Sequence, residues 1–250
     1  IEKLEDENIS FFDVVQFVKQ HMPRKLYSYR RINAYWKENV FDGCIHLTPA
    51  SDFNDPFDCL PTFDFEHSDS RMAEAYKAFM CSFQKEKEKI DDIIHDLSTD
   101  NQARTAVSCF TERFDSMLMW SYYADNHKGV CIEYDTNKYW IFNKCVLPVI
   151  YKKERYDATR ILETRNVNIV LNPYLYKSDV WSHEEEWRVI LPTNEFKNDN
   201  LYLKDAVSAV YLGARINTDI EKEIREWGDS NGIPIYKMEL SEKTYELIER

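Results

Sequence analysis

Glu184 and Glu186 stand two residues apart, and Arg188 follows at the same spacing. In an extended strand successive side chains alternate faces, so these three share one face. Glu185, Trp187, Val189 and Leu191 share the other. Carboxylates at this spacing lie roughly 7 Å apart. They can both reach one polar ligand, and away from water each raises the other's pKa. The segment from Glu184 to Leu191 therefore reads as a strand at the edge of an active site, with Trp187 and Val189 buried beneath it. The plainer reading is an amphipathic strand with a solvated charged face. On the active-site reading, Glu186→Gln removes a cleft-lining charge and leaves folding nearly unchanged.

Two other stretches concentrate functional side chains. In Met119 to Gly129, a helix would set Trp120, Tyr123 and His127 on one face, able to stack on a planar ring and to donate a hydrogen bond. The same pattern fits a core-facing aromatic helix ending in a histidine. The loop Thr48 to Asp58, which contains two prolines, carries Thr48, Ser51, Asp52, Asn54, Asp55 and Asp58, more polar groups than a turn requires. Cys109, set in an apolar strand, reads as an inert buried thiol rather than a nucleophile. His127 and Cys131 lack the further ligands a zinc site needs, so no metal is expected.

These groups must be positioned by a mixed set of elements. Periodicity predicts a helix ending near His21, strands over 26–30, 44–48, 106–110, 130–134, 145–151 and 184–191, and a charged helix over 69–97. A helix over 116–126 starts at an N-cap Ser116 and ends near Gly129 as a left-handed cap. A further helix spans 158–171. A strand over 206–212, a helix over 218–227 and a strand over 234–240 close the chain. Without a strict βαβ alternation, this is an α+β fold around a mixed, largely antiparallel sheet flanked by helices. It reads as one domain over 1–250, with an N-terminal helix to residue 21, a core over 26–192 carrying the site, and a strand–helix–strand unit over 201–250.

Composition narrows the classes. The 250 residues include only 5 glycines, with neither Gly-x-Gly-x-x-Gly nor a Walker-type loop. A net charge of −12 disfavours duplex nucleic acid as a partner. Six scattered cysteines without a Cys-x-x-Cys pair, no apolar run of bilayer length and no signal peptide predict reduced thiols and a cytoplasmic, non-membrane protein.

The motifs Leu-Tyr-Ser-Tyr-Arg (26–30), Leu-Thr-Pro-Ala-Ser-Asp-Phe-Asn-Asp-Pro-Phe-Asp (47–58), Ser-Cys-Phe-Thr-Glu (108–112), Met-Trp-Ser-Tyr-Tyr-Ala-Asp-Asn-His-Lys-Gly-Val-Cys-Ile (119–132) and Trp-Ser-His-Glu-Glu-Glu-Trp-Arg (181–188) resemble the bacterial domain-of-unknown-function family 2971, over roughly Leu26 to Leu240. More distantly, their order is similar to the ADP-ribosyltransferase superfamily. That resemblance implies NAD as substrate, with Arg30 holding it and Thr48 and Ser51 bracing the nicotinamide ribose. It also implies that Glu186, with Glu184 alongside, drives glycosidic cleavage. Tyr27, Asn54, Trp120, Tyr123 and His127 are the remaining candidates for contact with NAD. A macromolecular acceptor and a role in bacterial stress response or phage defence would follow. Two other readings stay open. One is a non-catalytic module binding a nucleotide or a protein. The other is a metal-dependent nucleic-acid hydrolase using Glu184, Glu186 and an Asp of the 52–58 loop.

Overall fold

The structure, a computed structural model, describes residues 11–64, 74, 104–159, 171–192 and 200–250. The helix expected over 69–97 and most of that over 158–171 lie outside the described residues. The main sheet has the strand order β13-β12-β11-β5-β1-β4-β9-β6, with β3 also on β4. These strands are β1 (Lys25–Arg30), β3 (Thr48–Pro49), β4 (Thr105–Thr111), β5 (Val130–Asp135), β6 (Val146–Pro148), β9 (Glu186–Pro192), β11 (Val207–Leu212), β12 (Ile235–Leu240) and β13 (Leu247–Glu249). Within this sheet β11 and β12 run parallel and the other pairs antiparallel. The expected mixed α+β architecture is therefore observed. β2 (Cys44–His46) pairs with β10 (Asn200–Tyr202), and β7 (Ile150–Lys152) with β8 (Tyr176–Ser178). The strand expected over 145–151 is thus two short strands in different sheets, and that over 44–48 is likewise divided.

Alternation along the strands decides which side chains meet. Leu26, Ile132, Tyr134, Ala106, Phe110, Trp187, Val189 and Leu191 build the larger core. Val14 and Val18 of helix α1 (Phe11–His21), Ile141 and Phe142 of α4 (Trp140–Cys145) and Ile224 of α5 (Thr218–Asn231) pack into it. On the opposite face Tyr27, Tyr29, Cys131 and Tyr211 pack against Met119 and Trp120 of α3 (Met117–Tyr122). A short helix α2 (Trp36–Phe41) follows β1.

Helix α3 starts as the sequence predicts, with the Ser116 hydroxyl accepting from the Met119 amide, but it ends at Tyr122 instead of continuing to 126. Asp125, Asn126 and His127 all adopt positive φ and lead the chain back to β5. Gly129 is not a left-handed cap there. A Cβ on it would lie 2.1 Å from the carbonyl oxygen of Arg30, so glycine is required by close backbone approach to the end of β1. Helix α5 has the conventional ends, Asn217 capping the first turn and Gly232 at φ 68° closing the last.

Candidate functional site

The sheet forks between β1 and β4. These strands share one pairing, Tyr27 with Thr111, and then diverge. Farther along, β4 is bordered on that side by β3, through Thr48–Val107 and Pro49–Ala106. Among the described residues, no strand lies beside Ser108, Cys109 and Phe110 on the fork side, between those two anchor points. A cavity of about 670 Å³ fills the gap, within the usual range for small-molecule sites. Arg30, Ser108, Cys109, Tyr123, Glu184 and Glu186 are among its lining residues.

A buried charge cluster forms part of the cavity wall, with Asp58, Lys177, Glu184 and Glu186 lining it and Arg188 behind them. Arg188 is fully buried. Its Nη1 and Nη2 donate to the two Asp58 oxygens at 2.8 and 2.6 Å, and its Nε and Nη2 donate to Glu186 at 2.8 and 3.1 Å. Nη1 also donates to the Tyr174 carbonyl at 2.8 Å. The Lys177 ammonium donates to Glu186 at 2.9 Å and to Glu184, and stands 3.6 Å from Asp58. Tyr123 donates its hydroxyl to Glu184 at 2.7 Å. Three carboxylates thus meet two cations, leaving one net negative charge in the cluster. Burial alone would raise the Glu186 pKa, but Arg188 and Lys177 outweigh it and hold the carboxyl well below the usual range. Burial likewise works against the charge on Lys177, yet the surrounding carboxylates raise its pKa, so it remains an ammonium.

A left-handed residue brings the two glutamates together. Glu184 closes the 3-10 helix Asp179–Glu184, Glu185 turns at φ 45°, and β9 begins only at Glu186. The Thr111 hydroxyl pins this kink by donating to the Glu184 carbonyl at 2.5 Å, and the Glu112 amide donates to that of Glu185 at 3.2 Å. Glu184 therefore does not share a strand face with Glu186, contrary to the alternation argument. It reaches Lys177 because the chain reverses at Glu185. From Glu186 onward the alternation holds, with Arg188 on the site face and Trp187, Val189 and Leu191 in the core. Both Glu184 and Glu186 line the cavity above buried Trp187 and Val189.

One family model matches. It covers residues 119–189 and is described as a protein of unknown function, DUF2971. No curated protein and no solved structure matches the chain. The matched stretch is shorter than the span over which the motifs resemble that family. It holds Tyr123, Lys177, Glu184, Glu186 and Arg188, whereas Arg30 and Asp58 fall before it. No comparison carries the ADP-ribosyltransferase resemblance.

Of the residues singled out from sequence, Tyr27, Arg30, Thr48, Asn54, Tyr123, Glu184 and Glu186 all line the cavity. Ser51, Trp120 and His127 are not among its lining residues. Beyond Pro49 the chain enters the 3-10 turn Ala50–Asp52, which exposes Ser51, and its hydroxyl donates to Asp52 at 3.1 Å. Trp120 is buried, its indole N–H donating to the Phe114 carbonyl at 2.7 Å. His127 sits beyond the end of α3 with Nε2 at 3.2 Å from the Ser121 hydroxyl, because the positive-φ run takes it off the helix face.

Two expectations about chemistry change. Cys109 is not an inert core thiol, since its side of β4 faces the open fork and the residue is exposed inside the cavity. Its thiol stays protonated, because the enclosing protein and then the Glu186 carboxylate push its pKa well up. Glu186→Gln cannot be neutral for folding, because it would remove a buried carboxylate that pairs with two cations.

Lys177 escaped sequence reading altogether, since one lysine in a strand of three residues carries no periodic signal. Asp58 was visible only as a member of a polar loop, with nothing to link it to Arg188. Among the described residues no group of three or more His, Cys, Asp or Glu could hold a metal ion. Asp58, Glu184 and Glu186 converge instead on the Lys177 ammonium. No helix among the described residues is long and apolar enough to cross a membrane.

Proposed function

We propose that the fork cavity binds NAD and cleaves its nicotinamide–ribose bond, in the manner of an ADP-ribosyltransferase or an NAD glycohydrolase. The observation that carries this reading is that Arg30 of β1, Glu186 of β9 and Glu184 at the end of the preceding 3-10 helix line one cavity of about 670 Å³. Tyr27, Thr111 and Glu186 form one row across β1, β4 and β9, and Arg30 lies three residues farther along β1, about 10 Å away. This reading places an anionic group of the ligand at the guanidinium and its ribose near the carboxylates, the cavity joining the two.

The chemistry asked of these groups is electrostatic. As the glycosidic bond breaks, its electron pair leaves with neutral nicotinamide and positive charge develops on the ribose, an oxocarbenium-like state. The net negative cluster at Glu184 and Glu186 stabilises that charge. Water or an acceptor hydroxyl then attacks the sugar carbon, forming the new C–O bond and releasing its proton to bulk water. Tyr27 and Tyr123 offer aromatic faces to the nicotinamide. The acceptor would be a macromolecule for a transferase and water for a glycohydrolase. A cytoplasmic setting, where NAD is available, belongs to the same proposal, as does a part in bacterial stress response or phage defence.

A second reading is favoured by the engagement of Glu186 with Arg188 and Lys177. A carboxylate already neutralised by two cations has less charge to offer a transition state, which fits a module that binds the nucleotide without cleaving it. Incubation with NAD separates the two. Nicotinamide release that Glu184→Gln lowers about 10²–10³-fold supports cleavage. Saturable NAD binding without release supports the binder, and absence of both removes NAD from consideration.

A further inference from the structure

Two buried polar groups in the fork have no partner among the described residues. Nε and Nη2 of Arg30 are buried without a hydrogen-bond acceptor, and so is the hydroxyl of Ser108, a residue only 3% exposed. Both residues line the cavity. Their placement follows from the register. Tyr27 pairs with Thr111, so continuing the antiparallel count three residues into the fork sets Arg30 opposite Ser108. The equal spacing from one pairing also puts both side chains on the same sheet face, opposite to that of Tyr27 and Glu186.

Buried donors without acceptors are costly, and native proteins rarely retain them unless something else supplies the partner. A guanidinium beside a hydroxyl offers several donors converging from two strands, which suits the oxygens of a phosphate group. The carboxylates described above bond to Lys177, Arg188 and Tyr123 and so do not supply that acceptor. We infer that Ser108 and Arg30 together form a phosphate subsite in the throat of the fork, with Ser108 the residue that fixes one phosphate oxygen. This rests on the reading that the fork cavity is a ligand site. It adds that the phosphate end of the ligand passes between β1 and β4, toward the sheet face opposite Glu186.

Inorganic pyrophosphate is the probe, titrated by calorimetry into the full chain at low ionic strength. Wild type should bind it, Ser108→Ala should bind about tenfold more weakly, and Arg30→Gln at least a hundredfold more weakly. Without ligand, Ser108→Ala should melt at the same temperature as wild type or higher, because it removes a hydroxyl that has no partner. A purely structural hydroxyl would instead lower the melting temperature and leave pyrophosphate affinity alone. That result, or no pyrophosphate binding by wild type, overturns the subsite. If pyrophosphate binds with this dependence while NAD neither binds nor releases nicotinamide, the subsite stands and the NAD reading falls. If NAD is cleaved and Ser108→Ala leaves its KM unchanged, the reverse holds.

Discussion

Two buried glutamates lie on the same face of the sheet and have opposite surroundings. Glu133 on β5 accepts from Tyr211 at 3.0 Å and Ser208 at 2.8 Å, and Lys25 reaches it at 3.1 Å from a largely exposed position. Aromatic rings close over it, with Phe114, Tyr211 and Tyr236 stacked in succession. Glu186 on β9 is held by two buried cations and faces the cavity. β1 stands between β5 and β4, fully laddered to the first and barely to the second. Where the ladder is complete, a buried carboxylate is covered by hydroxyls and rings. Where the ladder opens, the carboxylate requires full ionic support, and that support also shapes a site.

The largest effect should come from removing the guanidinium of that ionic support. Arg188→Met leaves Asp58 and Glu186 buried with only Lys177 between them, and should lower unfolding free energy by about 3–5 kcal/mol in urea titrations. A loss below about 1 kcal/mol would mean that the cluster adds nothing beyond what apolar packing provides. Arg188→Met with Asp58→Leu and Glu186→Leu should recover part of the loss, since an apolar replacement leaves no buried charge unmatched.

Next in size is Glu186→Gln, expected to cost about 2–3 kcal/mol, since hydrogen bonds to charged partners are lost in a buried setting. The effect is pH-dependent. The folded-state pKa of Glu186 is depressed. Its contribution is therefore present above the unfolded value of about 4.3 and lost as pH falls toward the folded value. Between pH 7 and pH 3, wild type should lose stability below about pH 4.3 more steeply than Glu186→Gln. Parallel profiles would show that Glu186 is not held ionised by its neighbours.

On the closed side of β1 the corresponding change should be milder. Glu133→Gln keeps an acceptor for Tyr211 or Ser208 and loses only a half-solvated Lys25 contact, so a cost of about 1 kcal/mol is expected by thermal unfolding. A cost equal to that of Glu186→Gln would erase the contrast between the two regions. The smallest effect is at the kink. Glu185 holds φ 45° and pairs with Arg113 at 3.3 Å on the surface. Glu185→Gly relieves the left-handed strain and forfeits an exposed ion pair, so stability should rise by up to about 1 kcal/mol or stay level. A marked loss would show that Glu185 contributes more than its backbone conformation.

The sequence carried the parts of this site that depend on local period. Alternation in β9 put Arg188 with Glu186 and sent Trp187, Val189 and Leu191 to the core. The polar excess in 48–58 marked a loop from which Thr48, Asn54 and Asp58 reach the cavity. The aromatic stripe at Trp120, Tyr123 and His127 was illegible in its correct form, because helical spacing gave no sign of the three consecutive positive-φ residues that end α3. The convergence of Glu184 on Lys177 was hidden for a similar reason, since it rests on a single left-handed glutamate that strand periodicity does not anticipate.

By itself, then, the chain determined the alternation from Glu186 onward, the Ser116 cap of α3 and which strands are amphipathic, because those are properties of neighbours along the backbone. Tertiary structure decided the rest. Asp58 meets Arg188 across 130 positions of sequence. Cys109 is exposed only because β1 leaves β4 after one pairing, and Arg30 and Ser108 face a shared cavity for the same reason. Where a ladder stops is set by competition among strands for the same edge, here β1 and β3 on β4, and that competition is written in no single segment.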